Sequence, residues 1–430
     1  MNGSGCPAGW AELAARYLPL VRVELTGNIL PFWQRTLDDE RGGVFNCWNN
    51  AGTHRASRDK FTWSQGRFAW LWSRLAECAA RDLVAGAAEP LLAQAGRTVR
   101  FLQAHAFLPD GRCAFLLSET GERKEAIAGR GPAPSIFADC FVVMGLAEYA
   151  RVSGETAALE AAWRLFTSIE SRVAAGPVPT HPEPTPAGYT SHAIAMITLN
   201  LTLVLDAAAS GLRHGLASEI RARTDAAAQL LFDVFLQSDG RIVESRPDGG
   251  DLATTLLARH VNPGHALEGL WMLLTVAERA GRADWLERAR AAVLFALERG
   301  WDDEHGGLLH YVDCAGGPPR GVAGDSVYEG NVVATWDTKL WWVHSEALYT
   351  TALGFRLTGD PRLQAWFERL WAYTFRVFPN PDRAVGEWIQ IRDRRGAPLD
   401  RVVALPVKDP YHIARNLIQL TELFAGRVPA

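Results

Sequence analysis

The sequence lacks any strong excess of one charge: 44 Lys and Arg stand against 48 Asp and Glu, a net charge of −4 over 430 residues. That balance argues against a broad nucleic-acid or membrane footprint. There is no CxxC pair. The six cysteines (Cys6, Cys47, Cys78, Cys113, Cys140 and Cys314) are scattered, which disfavours a disulfide framework or a zinc site and fits a reducing, cytoplasmic setting. Met1 to Trp10 has neither the basic nor the apolar block of a signal peptide. No apolar run reads as long enough to span a bilayer. Methionine is scarce, at four residues, whereas tryptophan is abundant, at sixteen. Indoles fill cores, and they also stack on the apolar faces of sugars while keeping an N–H free.

The 3.6-residue period and its capping signals predict about twelve helices. They lie near 9–26, 60–82, 87–106, 133–152, 155–173, 190–210, 213–236, 262–281, 283–299, 338–357, 360–378 and 408–425. Links after even-numbered helices are short, such as Val152–Ser153–Gly154 and Thr358–Gly359–Asp360. Links after odd-numbered helices are long. Four of them carry a glycine turn flanked by aromatic or β-branched residues: Gly42–Phe45, Asp110–Phe115, Gly306–Leu309 and Gly386–Ile389. Asp239–Val243 is a fifth, weaker copy. These read as short β-hairpins. A helix pair repeating without a linker predicts an all-α, closed ring of helix pairs in a single domain, 1–430. All long links then share one rim, where the even helices begin, and long loops on a rigid scaffold are where sites usually form.

Two of those helix starts are alike. One reads Asn262–Pro263–Gly264–His265, with Glu268 three residues on; the other reads Asp409–Pro410–Tyr411–His412, with Arg415 three residues on. Asn or Asp followed by Pro is a strong helix start. A histidine in the first turn feels the positive end of the helix dipole, which favours a neutral imidazole able to take a proton near pH 7. Glu268 is placed to orient His265, and Arg415 to hold a sugar oxygen or to lower the His412 pKa. The alternatives are structural histidines, or a metal shared by His265 and Glu268. Arg67 sits among aromatics on the second helix and needs an anionic or polar partner, either a developing enolate or a structural carboxylate. Lys339, Trp341, Trp342 and Glu346 on the tenth helix are candidates to face a cavity. His344 reads as a core or supporting group, and His192 as a weaker rim candidate.

These segments resemble the N-acylglucosamine 2-epimerase family over nearly the whole chain. The resemblance is carried by Lys60–Arg67, by Phe137–Ala138–Asp139 with Gly145–Tyr149, by Asn262–His265 with Glu268, by Trp336–Asp337 with Lys339–Trp342 and His344–Ala347, and by Gly386–Glu387–Trp388. It implies an (α/α)6 barrel, catalytic histidines at His265 and His412, the conserved arginine at Arg67 and the acidic partner at Glu268. Substrate contacts are expected at Trp63, Lys339, Trp341 and Trp342. Glu346, Trp388 and Arg415 complete that expected set. Two departures lie at the substrate end. Lys408–Asp409–Pro410–Tyr411–His412 stands where the family has Lys-Gly-x-Phe/Trp-His, and Val385 precedes Gly386–Glu387–Trp388 where His or Tyr is usual. Ala195–Asn200 looks more like the N-acylglucosamine branch than the disaccharide branch.

The resemblance thus implies interconversion of the C2 epimers N-acylglucosamine and N-acylmannosamine through an enediolate, with a small free sugar as partner and no metal or cofactor. Aldose–ketose isomerisation, or 2-epimerisation of mannose, glucose or a related neutral sugar, is the alternative. A glycoside hydrolase of the same fold would use two carboxylates, Glu268 and Glu346, and a sugar- or partner-binding protein would use the site without turnover. No phosphate-binding glycine loop followed by Lys-Ser/Thr is present. A homodimer is the expected assembly.

Overall fold

The computed structural model describes residues 6–402 and 405–427. Residues 1–5, on which part of the signal-peptide reading rests, lie outside it, as do 403–404 in the last long link and 428–430. Twelve long helices alternate between two layers. They are α1 (Trp10–Glu24), α2 (Thr62–Ala80), α3 (Ala88–His105), α4 (Ile136–Ser153), α5 (Thr156–Ala175), α6 (His192–Gly211), α7 (Ala217–Leu230), α8 (Pro263–Arg279), α9 (Ala283–Gly300), α10 (Trp341–Thr358), α11 (Pro361–Val377) and α12 (Tyr411–Phe424). The even helices touch in order, and α12 returns to α2, so the ring closes. The odd helices pack around them. This is the (α/α)6 barrel that the sequence predicts.

The two layers differ in sequence for a physical reason. An outer helix buries one stripe: in α11, Leu363, Phe367, Leu370 and Thr374 face inward, at the spacing of one helical face. An inner helix is covered on nearly every side, as in α4, where every residue from Ala138 to Ala150 is buried. One sequence expectation needs correction here. The inner helix α6 is, by length and composition, long and apolar enough to cross a membrane. Thr198, Asn200, Thr202 and Asp206 interrupt its apolar run, and it stands mostly buried in the ring. Glycine sets the tightest inner contact. A Cβ on Gly66 would lie 2.2 Å from the Phe141 carbonyl oxygen, and one on Gly145 would lie 2.6 Å from that of Gly66, so α2 and α4 meet backbone to backbone.

All five glycine turns are hairpins closed by a single antiparallel bridge: Leu37 with Val44, Phe107 with Cys113, Leu236 with Ile242, Trp301 with Leu308 and Pro379 with Trp388. A second set of pairings escaped the sequence reading. Lys60–Phe61 pairs with Leu116–Leu117, Tyr189–Ser191 with Ser245–Pro247, His260–Val261 with Val312–Asp313, and Lys339–Leu340 with Ile391–Arg392. Each ties the residues before an inner helix to the next long link. The helix starts placed near 60, 190 and 338 therefore fall later, at Thr62, His192 and Trp341. A Ser135–Thr180 bridge does the same ahead of α4, and the Lys408 N–H donates to the Asn46 carbonyl at 2.9 Å ahead of α12. A short helix, Leu30–Gln34, carries the first helical segment past its expected end, and two more, Leu256–Arg259 and Val327–Thr335, lie inside long links. The last of these opens with a capping box between Ser326 and Glu329, a signal present in the sequence.

Candidate active site

One cavity of about 240 Å³ opens among the starts of the inner helices, and His265 and His412 both line it. Trp342 lies against both imidazoles, with ring centroids 5.2 Å from His265 and 5.6 Å from His412. Gly264 makes this possible, because a Cβ there would sit 2.4 Å from the indole. Asn262 caps α8 as expected, accepting from the His265 N–H at 3.1 Å.

The two histidines sit in opposite electrostatic settings. His265 Nδ1 is 2.9 Å from Glu244 Oε1. Burial disfavours its charged form, but the Glu244 carboxylate, with Glu268 and Glu183, outweighs burial and raises its pKa to about 9. The expectation of a neutral His265 is therefore corrected: an ion pair overrides the helix dipole, which contributes only about 0.3–1 kcal/mol. His412 Nδ1 lies 2.7 Å from Glu346 Oε1. Burial, joined by the nearby Arg67 and Arg415 charges, lowers its pKa to about 3 against the pull of Glu268. Glu346 does little to charge the ring, because its carboxylate also accepts from Arg415, from Asn416 at 2.7 Å and from Trp271 at 3.1 Å.

Among the other expected residues, Trp63, Arg67, Glu268, Trp341 and Trp342 line the cavity. Arg67 pairs with Asp409 and lies over the rings of Phe141, Trp63 and Tyr411, so its anionic partner is a structural carboxylate at the cavity wall. Glu268 does not orient His265. It takes the Arg415 guanidinium at 2.8 Å and lies 3.9 Å from His412 Nδ1. Arg415 and Glu346 are fully buried and stand behind His412 rather than in the cavity. Glu268, Glu346 and His412 bring ligand-type atoms within 4.8 Å of one another, but the Arg415 guanidinium already bridges both carboxylates and offsets one of their two charges.

Lys339 and Trp388 lie away from the cavity. Lys339 is buried against Asp302 at 3.1 Å and donates to the Gly306 carbonyl. The first repeat explains it, since Lys60 makes the same contacts with Asp38 and the Gly42 carbonyl, both at 2.8 Å. Each lysine pins a hairpin ahead of an inner helix. Trp388 is a core residue, stacked on Phe378 and donating to Glu24 at 2.6 Å. His344 is buried between the Leu340 carbonyl and the Leu308 N–H. His192 is buried 3.6 Å from the far oxygen of Glu244.

Sequence reasoning missed Glu183, Glu244, His310, Tyr311 and Tyr328, all on the cavity wall. Glu244 directly follows the weak fifth hairpin, and its neighbour Ser245 pairs with Ser191 just before α6. A carboxylate next to a hairpin aimed at the rim was the available signal.

A family model for N-acylglucosamine 2-epimerase (GlcNAc 2-epimerase) matches residues 43–415. The N-acylglucosamine 2-epimerase of Bos taurus is 30% identical over 424 residues, covering 96% of this chain and 91% of the relative. That of Homo sapiens is 30% identical over 409 residues, covering 93% and 88%. The solved cellobiose 2-epimerase of Bacillus thermoamylovorans superposes with a TM-score of 0.73 at 20% identity, covering 95% of this chain and 100% of that one.

Proposed function

The chain belongs to the N-acylglucosamine 2-epimerase family and is a sugar 2-epimerase, and on that premise we propose that it interconverts N-acylglucosamine and N-acylmannosamine through His265 and His412. The carrying observation is the pair of imidazoles on one cavity with pKa values pushed to about 9 and about 3. Environments that split two titratable groups in this way assign an acid and a base. The cavity, about 240 Å³, has room for a single sugar unit between the two imidazoles and the Trp342 indole.

The C2 proton is acidic only in the open-chain aldehyde, so the ring opens first. Neutral His412, its Nδ1–H directed at Glu346, takes the C2 proton on Nε2. The C–H electron pair moves into the C1 carbonyl and gives an enolate, a single oxyanion at C1 because C2 of an N-acyl sugar carries nitrogen; an enediolate would form only from a sugar with a C2 hydroxyl. The charged His265 then returns a proton to the opposite face of C2, and the C1 carbonyl re-forms. Negative charge on the enolate raises the His412 pKa while the proton is in transit. Arg67, at the wall, supplies positive potential where that oxygen charge develops. In the reverse direction the two histidines exchange roles. Proton transfer of this kind needs no redox group. As part of the same proposal, 1–430 forms one catalytic domain of a cytoplasmic homodimer. The closed ring supports the domain, six free thiols support the compartment, and the prevalence of two-fold assemblies supports the dimer.

Incubation in D2O with N-acetylglucosamine, N-acetylmannosamine, mannose, glucose and cellobiose, followed by NMR, tests this. Deuterium at C2 of the epimeric N-acetyl sugar is expected. A ketose product would move the assignment to an aldose–ketose isomerase. Absence of solvent deuterium from every sugar would overturn the proton-transfer chemistry.

A further inference from the structure

His310 is a third histidine on the cavity wall, and the epimerisation chemistry leaves it without a role. It is buried, stacks on Tyr311 at 3.8 Å and meets the edge of Trp342 at 6.4 Å. Its tautomer can be worked out from its neighbours. Thr335 Oγ1 donates its only proton to the Asn331 carbonyl at 2.8 Å. Toward His310 Nδ1, 3.1 Å away, Thr335 Oγ1 is therefore left as acceptor. Nδ1 carries the ring proton, and Nε2 is a bare lone pair. Burial and the charge on His265 keep this ring neutral, with its pKa lowered to about 3. Nε2 has no partner among the described residues.

The same short helix, Val327–Thr335, sets a second acceptor. The Asn331 side chain donates to Glu183 Oε1 at 3.0 Å, and Glu183 also lines the cavity, with Oε2 unpartnered among the described residues. One residue, Asn331, thus fixes both groups: its amide holds the carboxylate, and its carbonyl holds the hydroxyl that fixes the imidazole.

We propose that His310 Nε2 and Glu183 form an acceptor subsite that binds sugar donor groups, hydroxyls or the acylamide N–H, and that His310 determines substrate specificity through it. The inference rests on the C2-epimerase reading, because it places the sugar in this cavity. A phosphorylated sugar would meet two acceptors here and be rejected.

The test compares KM and kcat, with binding by ligand-observed NMR, for N-acetylmannosamine and its 3-, 4- and 6-deoxy analogues. The proteins are wild type, His310→Phe, His310→Gln and Thr335→Val. Loss of one hydrogen bond to the substrate predicts about a tenfold rise in KM for His310→Phe at nearly constant kcat. His310→Gln, which keeps an acceptor, should recover part of it. If the partner is a hydroxyl, one deoxy analogue binds wild type and His310→Phe equally; if it is the amide N–H, all three analogues show the same tenfold gap. Should His310→Phe fail to fold, Thr335→Val, which frees the tautomer, must still raise KM. Unchanged KM in the variants that fold, with C2 deuterium exchange intact, would overturn the subsite. Loss of exchange in wild type would instead overturn the epimerase reading.

Discussion

The first turns of α8 and α12 share a sequence frame, Asn or Asp followed by Pro with His two residues beyond, although only Asn262 caps its helix, whereas Pro410 takes the cap position of α12 and Asp409 accepts from the Tyr411 N–H from outside it. Their surroundings differ. His265 meets the carboxylate of Glu244, which has no Lys or Arg within ion-pair reach among the described residues and whose other oxygen lies 3.6 Å from His192. His412 meets Glu346, whose charge Arg415 has already taken up. One imidazole therefore holds its proton and the other gives it up, although each has a carboxylate within 3 Å of Nδ1. The lesson is that a histidine's protonation state follows from what else its partner binds. Local helix position sets the ring's direction and leaves its charge to the second layer.

Removing the neutral member should break this contrast most. His412→Ala is expected to lower turnover about 10²–10⁴-fold, read as C2 deuterium incorporation by NMR, with an unchanged far-ultraviolet circular dichroism spectrum showing that the fold persists. A loss below tenfold would mean that His412 is not the base.

Glu244→Gln should make the two settings more alike. In wild type, the form with His265 charged and His412 neutral prevails between about 3 and about 9, so kcat should fall above about 9. Without the carboxylate, that alkaline limb is expected to move down toward the ordinary histidine value of 6.5. Stability should respond too. The folded pKa of His265 lies above its ordinary value, so the pair's contribution is complete below about 6.5 and fades as pH rises through about 9. Denaturant titrations at pH 6 and pH 10 should show wild type losing on the order of 1–3 kcal/mol over that interval, and Glu244→Gln losing less. An unmoved alkaline limb would remove Glu244 from the account.

The smallest effect belongs to a residue outside both settings. Trp388→Phe keeps the stack on Phe378 and loses the bond to Glu24, so about 1 kcal/mol of stability should go while kcat/KM stays within about twofold. A larger fall in kcat/KM would return Trp388 to the substrate.

The barrel was legible because its signals are local: period, caps, and alternating long and short links. His265 and His412 were legible for the same reason, each following an Asn-Pro or Asp-Pro start. Glu244, Glu183 and His310 were not, because each sits in a long link and reaches the cavity only through pairing with a distant segment. Lys339 and Trp388 show the converse error. Both lie in motif-like stretches near the rim, yet one is buried by its hairpin and the other by the core. Only contacts far apart in sequence, such as Asp302 with Lys339 or Glu24 with Trp388, separate those outcomes. The short helix Val327–Thr335 was hidden inside a link read as a loop, although its Ser-x-x-Glu box was present.

The pairings at the rim behave as a hoop around staves. From Lys60–Leu117 around to Lys408–Asn46, the backbone ahead of nearly every inner helix is fastened to the loop that follows or precedes it, so a push on one loop is handed to its neighbour. An insertion at a solvent-facing hairpin tip such as Asp110–Gly111 leaves that hoop whole. An insertion of one residue beside Leu340 would throw two adjoining staves out of step, and with them the cavity wall formed by Trp341 and Trp342.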